Sequence, residues 1–186
     1  MLVLFTPEQD HPQEMEIVCA LFEAGLERLH LRKPGATKND YKAYLNAIPT
    51  EHLHRVYIHQ YHDLKEEFPT IHLHLRNQDL PNEHFKAKTT GAHSVEEALE
   101  KLKSFEEVYL SPVFPSISKD GYKRKENLSI QHLDTNLRQR IIALGGIHPE
   151  NLSNAKEFGF HHFAVLGCIW QSAHPLQSFK QLQNTL

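Results

Sequence analysis

The chain has 186 residues, 40% of them hydrophobic and 23% charged, with a formal net charge of −3. That length suits one domain (1–186) rather than two. The composition is that of a globular chain, and the negative balance excludes a nucleic-acid binder that works by neutralising phosphates.

Short apolar, β-branched runs recur from one end to the other and predict strands at 2–5, 28–32, 55–59, 71–75, 88–91, 107–113, 141–144 and 162–166. Helical patterns fall between them. QEMEIVCALFEAG places Met15, Val18, Cys19 and Phe22 on one face and stops at Gly25. Thr37 is placed to cap TKNDYKAYLNAI. Ser94, with Glu97 three residues on, has the spacing of a capping box for SVEEALEKLKSF. HPENLSNAKEFG has Pro149 in its first turn and Gly159 at its end. The C-terminal PLQSFKQLQNTL is amphipathic. Strand and helix in eightfold alternation predict a parallel α/β sheet closed as a single (β/α)8 TIM barrel, with an open doubly wound sheet as the rival. The chain is short for a barrel, so the helices after strands 4 and 6 are expected to be reduced. Cys19 and Cys168 sit in apolar runs and read as free thiols of a reducing compartment. No run reaches the roughly 20 apolar residues of a membrane helix, and MLVLFTPEQD lacks a basic signal start. A cytoplasmic protein is expected, free of membrane and nucleic-acid partners.

A barrel places its chemistry at the C-terminal strand ends, and these ends are polar. Gly145 and Gly146 close strand 7, and Gly167 closes strand 8 where a short helix can begin. Glycines there let the backbone approach a phosphate. His30 and Arg32 are two apart on strand 2 and share the pore face. An inward arginine is costly unless it meets an anion, so Arg32, with Lys119 beyond strand 6, suggests a second anionic group such as a diphosphate. The fifteen histidines raise a metal question. His72 and His74 share a face of strand 4 and, with His59, His30 or Asp79, could form a zinc-dependent hydrolase site. The plainer reading packs His72 in the barrel and leaves His74 to the loop beyond.

PVFPSISK, IIALGGI, LHLRKPG and GAHSVEEALE resemble, in order and spacing, the thiamine phosphate synthase and thiazole tautomerase superfamily over essentially the whole chain. The resemblance implies a transferase of thiamine biosynthesis. It joins a pyrimidine methyl diphosphate to thiazole phosphate and releases pyrophosphate, with magnesium assisting the leaving group. By position it assigns catalytic roles to Arg32 and Lys119 on the diphosphate; in a tautomerase, His59 or His30 would have to be the catalytic acid–base group. It assigns substrate contacts to His30, Lys33, His72, Gly91, Ser116, Ile117, Ser118, Gly145, Gly146, Leu166 and Gly167. Asp79 matches one magnesium carboxylate; the other is replaced by Gln60. Lys33 lies one place early, so strand alternation turns it away from Arg32. A thiazole phosphate tautomerase and a non-catalytic thiazole-phosphate binder remain as alternatives. Small phosphorylated substrates are the expected partners, and the fold allows a homodimer.

Overall fold

Leu2–Phe5 (β1) is buried at every position, as are most residues of the seven strands that follow it, which is what a sheet covered on both faces requires. The computed structural model describes residues 1–114 and 128–186. The strands are β1, Arg28–Leu31 (β2), Val56–Ile58 (β3), His72–Leu75 (β4), Thr89–Ala92 (β5), Glu107–Leu110 (β6), Ile141–Leu144 (β7) and His162–Val165 (β8). Each pairs in parallel with the next, and β1 pairs with β8 at Val3 opposite Ala164, closing the barrel. All eight predicted strands form, and closure rules out the open sheet.

The helices are Glu14–Glu23 (α1), Lys38–Ala47 (α2), Val95–Lys101 (α3), Thr135–Arg138 (α4), Leu152–Glu157 (α5), Gly167–Trp170 (α6) and Pro175–Thr185 (α7). Thr37 caps α2 in a full capping box with Asp40. Ser94 accepts from the Glu97 N–H, but the Glu97 carboxylate takes the His93 N–H instead, so only half of that box forms. Pro149 precedes α5, which Asn151 opens, and Gly159 at φ 94° ends it. Among the described residues, the reduction is deepest on one side. A 3-10 turn at His62–Glu66 follows β3, and no helix separates β4 from β5. The β3–β5 side is therefore roofed by loops.

Alternation along the strands sorts the core in two. Leu2, Leu4, Leu29, Leu31, Val56, Ile58, Val108, Leu110, Phe163 and Val165 pack outward against helices. Val3, Phe5, Tyr109, Ile142 and Ala164 fill the interior. The rest of the interior is polar: His30, His59, His74 and Thr89 are buried beside them. At the floor, Arg28 Nη1 donates to Glu107 Oε2 at 2.5 Å and to the Tyr109 hydroxyl at 3.0 Å, with its guanidinium 4.4 Å above the Tyr57 ring.

Candidate active site

At the rim, the loops after β7, β8 and β1 enclose a cleft of about 460 Å³ lined by Pro7, Gln9, Gly145, Gly146, Leu166 and Gly167, among others. Its shape depends on backbone that only glycine adopts easily. Gly145 has φ 94°, and a Cβ there would stand 2.9 Å from the Pro112 Cα. Its carbonyl accepts from the Phe114 N–H at 3.1 Å, so the turn ties the β7 loop to the chain leaving β6. Gly145→Ala is expected to cost about 1–3 kcal/mol, read as a lower denaturant midpoint at unchanged m-value. A midpoint equal to the parent's would show that the turn relaxes without strain. On the β8 side, α6 begins at Gly167 as the sequence suggested, and Trp170 pins it by donating from its indole N–H to the Phe5 carbonyl at 2.7 Å.

The opposite side of the rim is cationic. Arg32 follows β2 and pairs with Glu8. Arg76 follows β4, two residues after inward-facing His74, and so points the same way. Its guanidinium grips Asp79 with two bonds, Nε to Oδ2 at 2.7 Å and Nη2 to Oδ1 at 2.8 Å. With its amide turned to satisfy both neighbours, Gln60 donates to the Lys33 carbonyl and accepts from Arg76 Nη1, each at 3.2 Å. Lys101 of α3 reaches the Gly91 carbonyl at 2.6 Å. The charges of Arg32 and Arg76 bear on His59, and those of Arg32 and Lys101 on His74.

These positions test the magnesium expectation. Gln60 and Asp79 are the two places where the resemblance puts metal carboxylates. One guanidinium, that of Arg76, holds both side chains. Asp79 has both oxygens engaged, and a neutral amide faces it across a cation. Magnesium wants several oxygen donors in octahedral array, and this donor set does not fit it. No step below is routed through that ion.

Three sequence expectations need correction or relocation. Lys33, expected among the substrate contacts, is buried away from the cleft. Its ammonium donates to Glu14 Oε2 at 2.8 Å and to the carbonyls of Pro7 at 3.2 Å and Gln9 at 3.4 Å. It braces the cleft wall from behind, as alternation from Arg32 requires. His74, expected in the loop, is the third residue of β4 and lies inside the barrel, its Nδ1 2.9 Å from Thr89 Oγ1. His72 opens β4 at the floor, its ring centroid 4.7 Å from that of Tyr57, far from the rim. Gly91 does face inward on β5, and a Cβ there would meet the Asn77 Oδ1 at 3.5 Å and the Tyr109 carbonyl at 3.9 Å, ordinary contacts. Ser116, Ile117, Ser118 and Lys119 lie outside the described residues. Sequence reading did not single out Arg76. The available signal was its spacing, two residues past an inward histidine at a strand end, the same relation that marked Arg32.

His30 and His59 meet at the barrel centre, Nδ1 to Nε2 at 2.9 Å, and His30 Nε2 lies 2.6 Å from the Tyr109 hydroxyl. Phe5 and Tyr57 sandwich the His30 ring at 4.6 and 4.9 Å. Burial, then the neighbouring imidazoles and guanidinium groups, hold His30 and His59 well below the ordinary imidazole range. The same causes depress His74 to about 3.

Comparison with solved structures places the whole chain on known barrels. A thiamine phosphate pyrophosphorylase from Bacteroides thetaiotaomicron superposes with a TM-score of 0.79 at 29% identity, covering 99% of this chain and 96% of that one. The thiamine phosphate pyrophosphorylase of Pyrococcus furiosus gives 0.78 at 18% identity, covering 99% and 94%. The (S)-3-O-geranylgeranylglyceryl phosphate synthase of Thermoplasma acidophilum gives 0.66 at 14%, covering 99% and 91%, and shares the fold. The comparison with curated protein sequences returned no match. The profile of the family described as thiamine monophosphate synthase (TMP-TENI) matches residues 2–169, and the chain belongs to that family.

Proposed function

We propose that the chain condenses a pyrimidine methyl diphosphate with thiazole phosphate to give thiamine phosphate and pyrophosphate. The observation that carries this reading is the division of the rim. A glycine-lined cleft lies on the β7–β8–β1 side, and a pair of guanidinium groups, Arg32 and Arg76, lies on the β2–β4 side. The cleft suits a phosphate met by backbone, through Gly145, Gly146, Leu166 and Gly167. The arginines suit a diphosphate, because planar forks bind phosphoryl oxygens in pairs. The bond between the pyrimidine methylene carbon and the diphosphate oxygen breaks first, and its electron pair leaves with the diphosphate. The thiazole nitrogen then donates its lone pair to the carbocation. The negative charge that develops on the leaving group is what Arg32 and Arg76 meet. Lys119 would add a third charge by family position. Fixed charges aimed at a developing anion act as a preorganised electrostatic stabiliser. Arg76 supplies, from within the chain, a cation between the Gln60 and Asp79 side chains.

Purified chain mixed with both substrates is expected to form thiamine phosphate with no added magnesium, and Arg76→Met is expected to lower kcat/KM by about 10²–10³-fold. No product above background at high enzyme concentration refutes the reading. Full activity in Arg76→Met refutes the role of that arginine.

A further inference from the structure

The centre of the barrel contains a group of side chains that the proposed reaction does not need. His30 and His74 lie on β2 and β4, His59 directly follows β3, and a ring nitrogen of each lies within 4.8 Å of the others. All three are buried. An apolar trio would fill the same space without the cost of burying polar rings.

We propose that His30, His59 and His74 form a binding site for one borderline divalent transition ion, with zinc as the representative case, and leave a further coordination position for water or a substrate atom. Three features support this. The first is ligand type. Three imidazoles with no carboxylate suit zinc, copper or nickel and do not suit magnesium or calcium. The second is spacing. Nitrogens bound at about 2.05 Å to a tetrahedral ion stand roughly 3.3 Å apart, and His30 Nδ1 and His59 Nε2 are already 2.9 Å apart. The His59 and His74 rings are stacked with centroids 4.1 Å apart, so this pair must open slightly to share an ion. The third is outer support. Metal-bound histidines are held by a partner on their other nitrogen. His74 Nδ1 has Thr89 Oγ1, and His30 Nε2 has the Tyr109 hydroxyl, which also accepts from Arg28. Those partners leave His30 Nδ1 and His74 Nε2 for the ion.

The guanidinium groups nearest the site are partly neutralised: Arg32 and Arg76 are each paired with a carboxylate, Glu8 and Asp79, and Arg28 at the floor is paired with Glu107. In the ion-free chain, His30 Nδ1–H can donate to His59 Nε2 while the Tyr109 hydroxyl donates to His30 Nε2. Binding moves the His30 proton to Nε2 and turns the Tyr109 hydroxyl into an acceptor, with no change in the number of protons on the rings.

The test is metal binding by the whole chain, read without turnover. Protein stripped with a chelator and dialysed is titrated with zinc against a chromophoric competitor, and separately with cobalt(II) as a spectroscopic probe. The expected result is one equivalent of zinc per chain at micromolar affinity or tighter, visible d–d bands from cobalt, and no competition by millimolar magnesium. His59→Asn and His74→Asn should each weaken zinc by more than the roughly 10–100-fold that loss of an outer partner costs, and Thr89→Val by about that range. His72→Asn, on the same face of β4 but at the floor, should bind as the parent does. Wild-type protein that takes up no stoichiometric zinc overturns the proposal, whatever the variants do. So does zinc retained at parental affinity by a folded His59→Asn, His74→Asn double variant. The site stands independently of the synthase reading: zinc binding without product refutes only that reading, and product without zinc binding refutes only this one.

Discussion

Lys33→Met is expected to lower the unfolding free energy by about 3–5 kcal/mol, the cost of breaking a buried ion pair by removing one partner. For a chain of this length that corresponds to a fall in Tm of roughly 6–20 °C. Lys33 and Glu14 have 9% exposed side chains, and their contact is 2.8 Å. Glu14 Oε1 is already buried without a hydrogen bond, and its other oxygen takes the lysine at 2.8 Å and the His11 N–H only at 3.4 Å, so the lysine is the carboxylate's main partner. The same ammonium ties down the carbonyls of Pro7 and Gln9 behind the glycine cleft. Removing it leaves a charge stranded under α1 and releases the β1–α1 loop. The compensating change is Glu14→Leu. The Lys33→Met, Glu14→Leu double variant should recover most of the lost stability, because a well-packed apolar pair often equals or exceeds a buried ion pair. If Lys33 served the ligand rather than the fold, Lys33→Met would leave Tm near the parent value and raise KM alone. Thermal melts of both variants beside substrate titration separate these outcomes.

The strands were legible because a parallel sheet covered on both faces writes itself as short apolar runs, and all eight runs became strands. Their ends were less clear. Run 107–113 includes Pro112, but the ladder of β6 stops at Leu110 and the chain turns there to bond with Leu144 and Gly145. Reduced helices after strands 4 and 6 followed from length alone. The equal reduction after β3 did not, because nothing in the sequence singled out His62–Glu66 as a 3-10 turn. The rim was readable where one residue type has one reason to be there, as with Gly145 or inward Arg32. It was not readable where function depends on pairing. Nothing local marks Lys33 as the partner of Glu14 nineteen residues earlier, or Arg76 as the guanidinium held between Gln60 and Asp79. The histidines were legible as metal candidates, but which of them meet was decided by register, which leaves His72 out. His30, His59 and His74 come together only because β2, β3 and β4 are staggered so that His30 pairs with Tyr57 and Tyr57 with His72, which lifts His59 and His74 to one level. The serines and lysine of the strand-6 loop lie outside the described residues, so their roles rest on family position.

Acid should unfold the ion-free protein early, and the buried histidines set the window, the three central ones together with His72, His62 and His162. The folded pKa values of the central three lie well below 6.5, that of His74 at about 3, because burial disfavours the imidazolium. Charged neighbours add to this: Arg28 beside His30, Arg32 and Arg76 beside His59, and Arg32 and Lys101 beside His74, with His62 near the last two and Asp79 acting weakly in the opposite sense. The unfolded chain protonates these rings near pH 6.5, whereas the folded chain does not. Below that pH the unfolded state binds more protons, so stability falls as pH falls and is complete only above about 6.5. Each ring kept neutral by the fold contributes a slope of about 1.4 kcal/mol per pH unit once the unfolded imidazole is charged. His72, lowered to about 4, and His62 and His162, lowered by burial, add to the three central rings. Most carboxylates protonate below the interval from about pH 7.5 to about pH 5, so the histidines dominate it. Denaturant titrations across it, in the presence of a chelator, should show stability falling as pH falls, with His74→Asn reducing the slope by about 1.4 kcal/mol per pH unit. A stability that changes by less than about 2 kcal/mol over the same interval would mean that the cluster takes up protons while folded. The barrel would then have to open locally around β3 and β4, the side its helices leave uncovered.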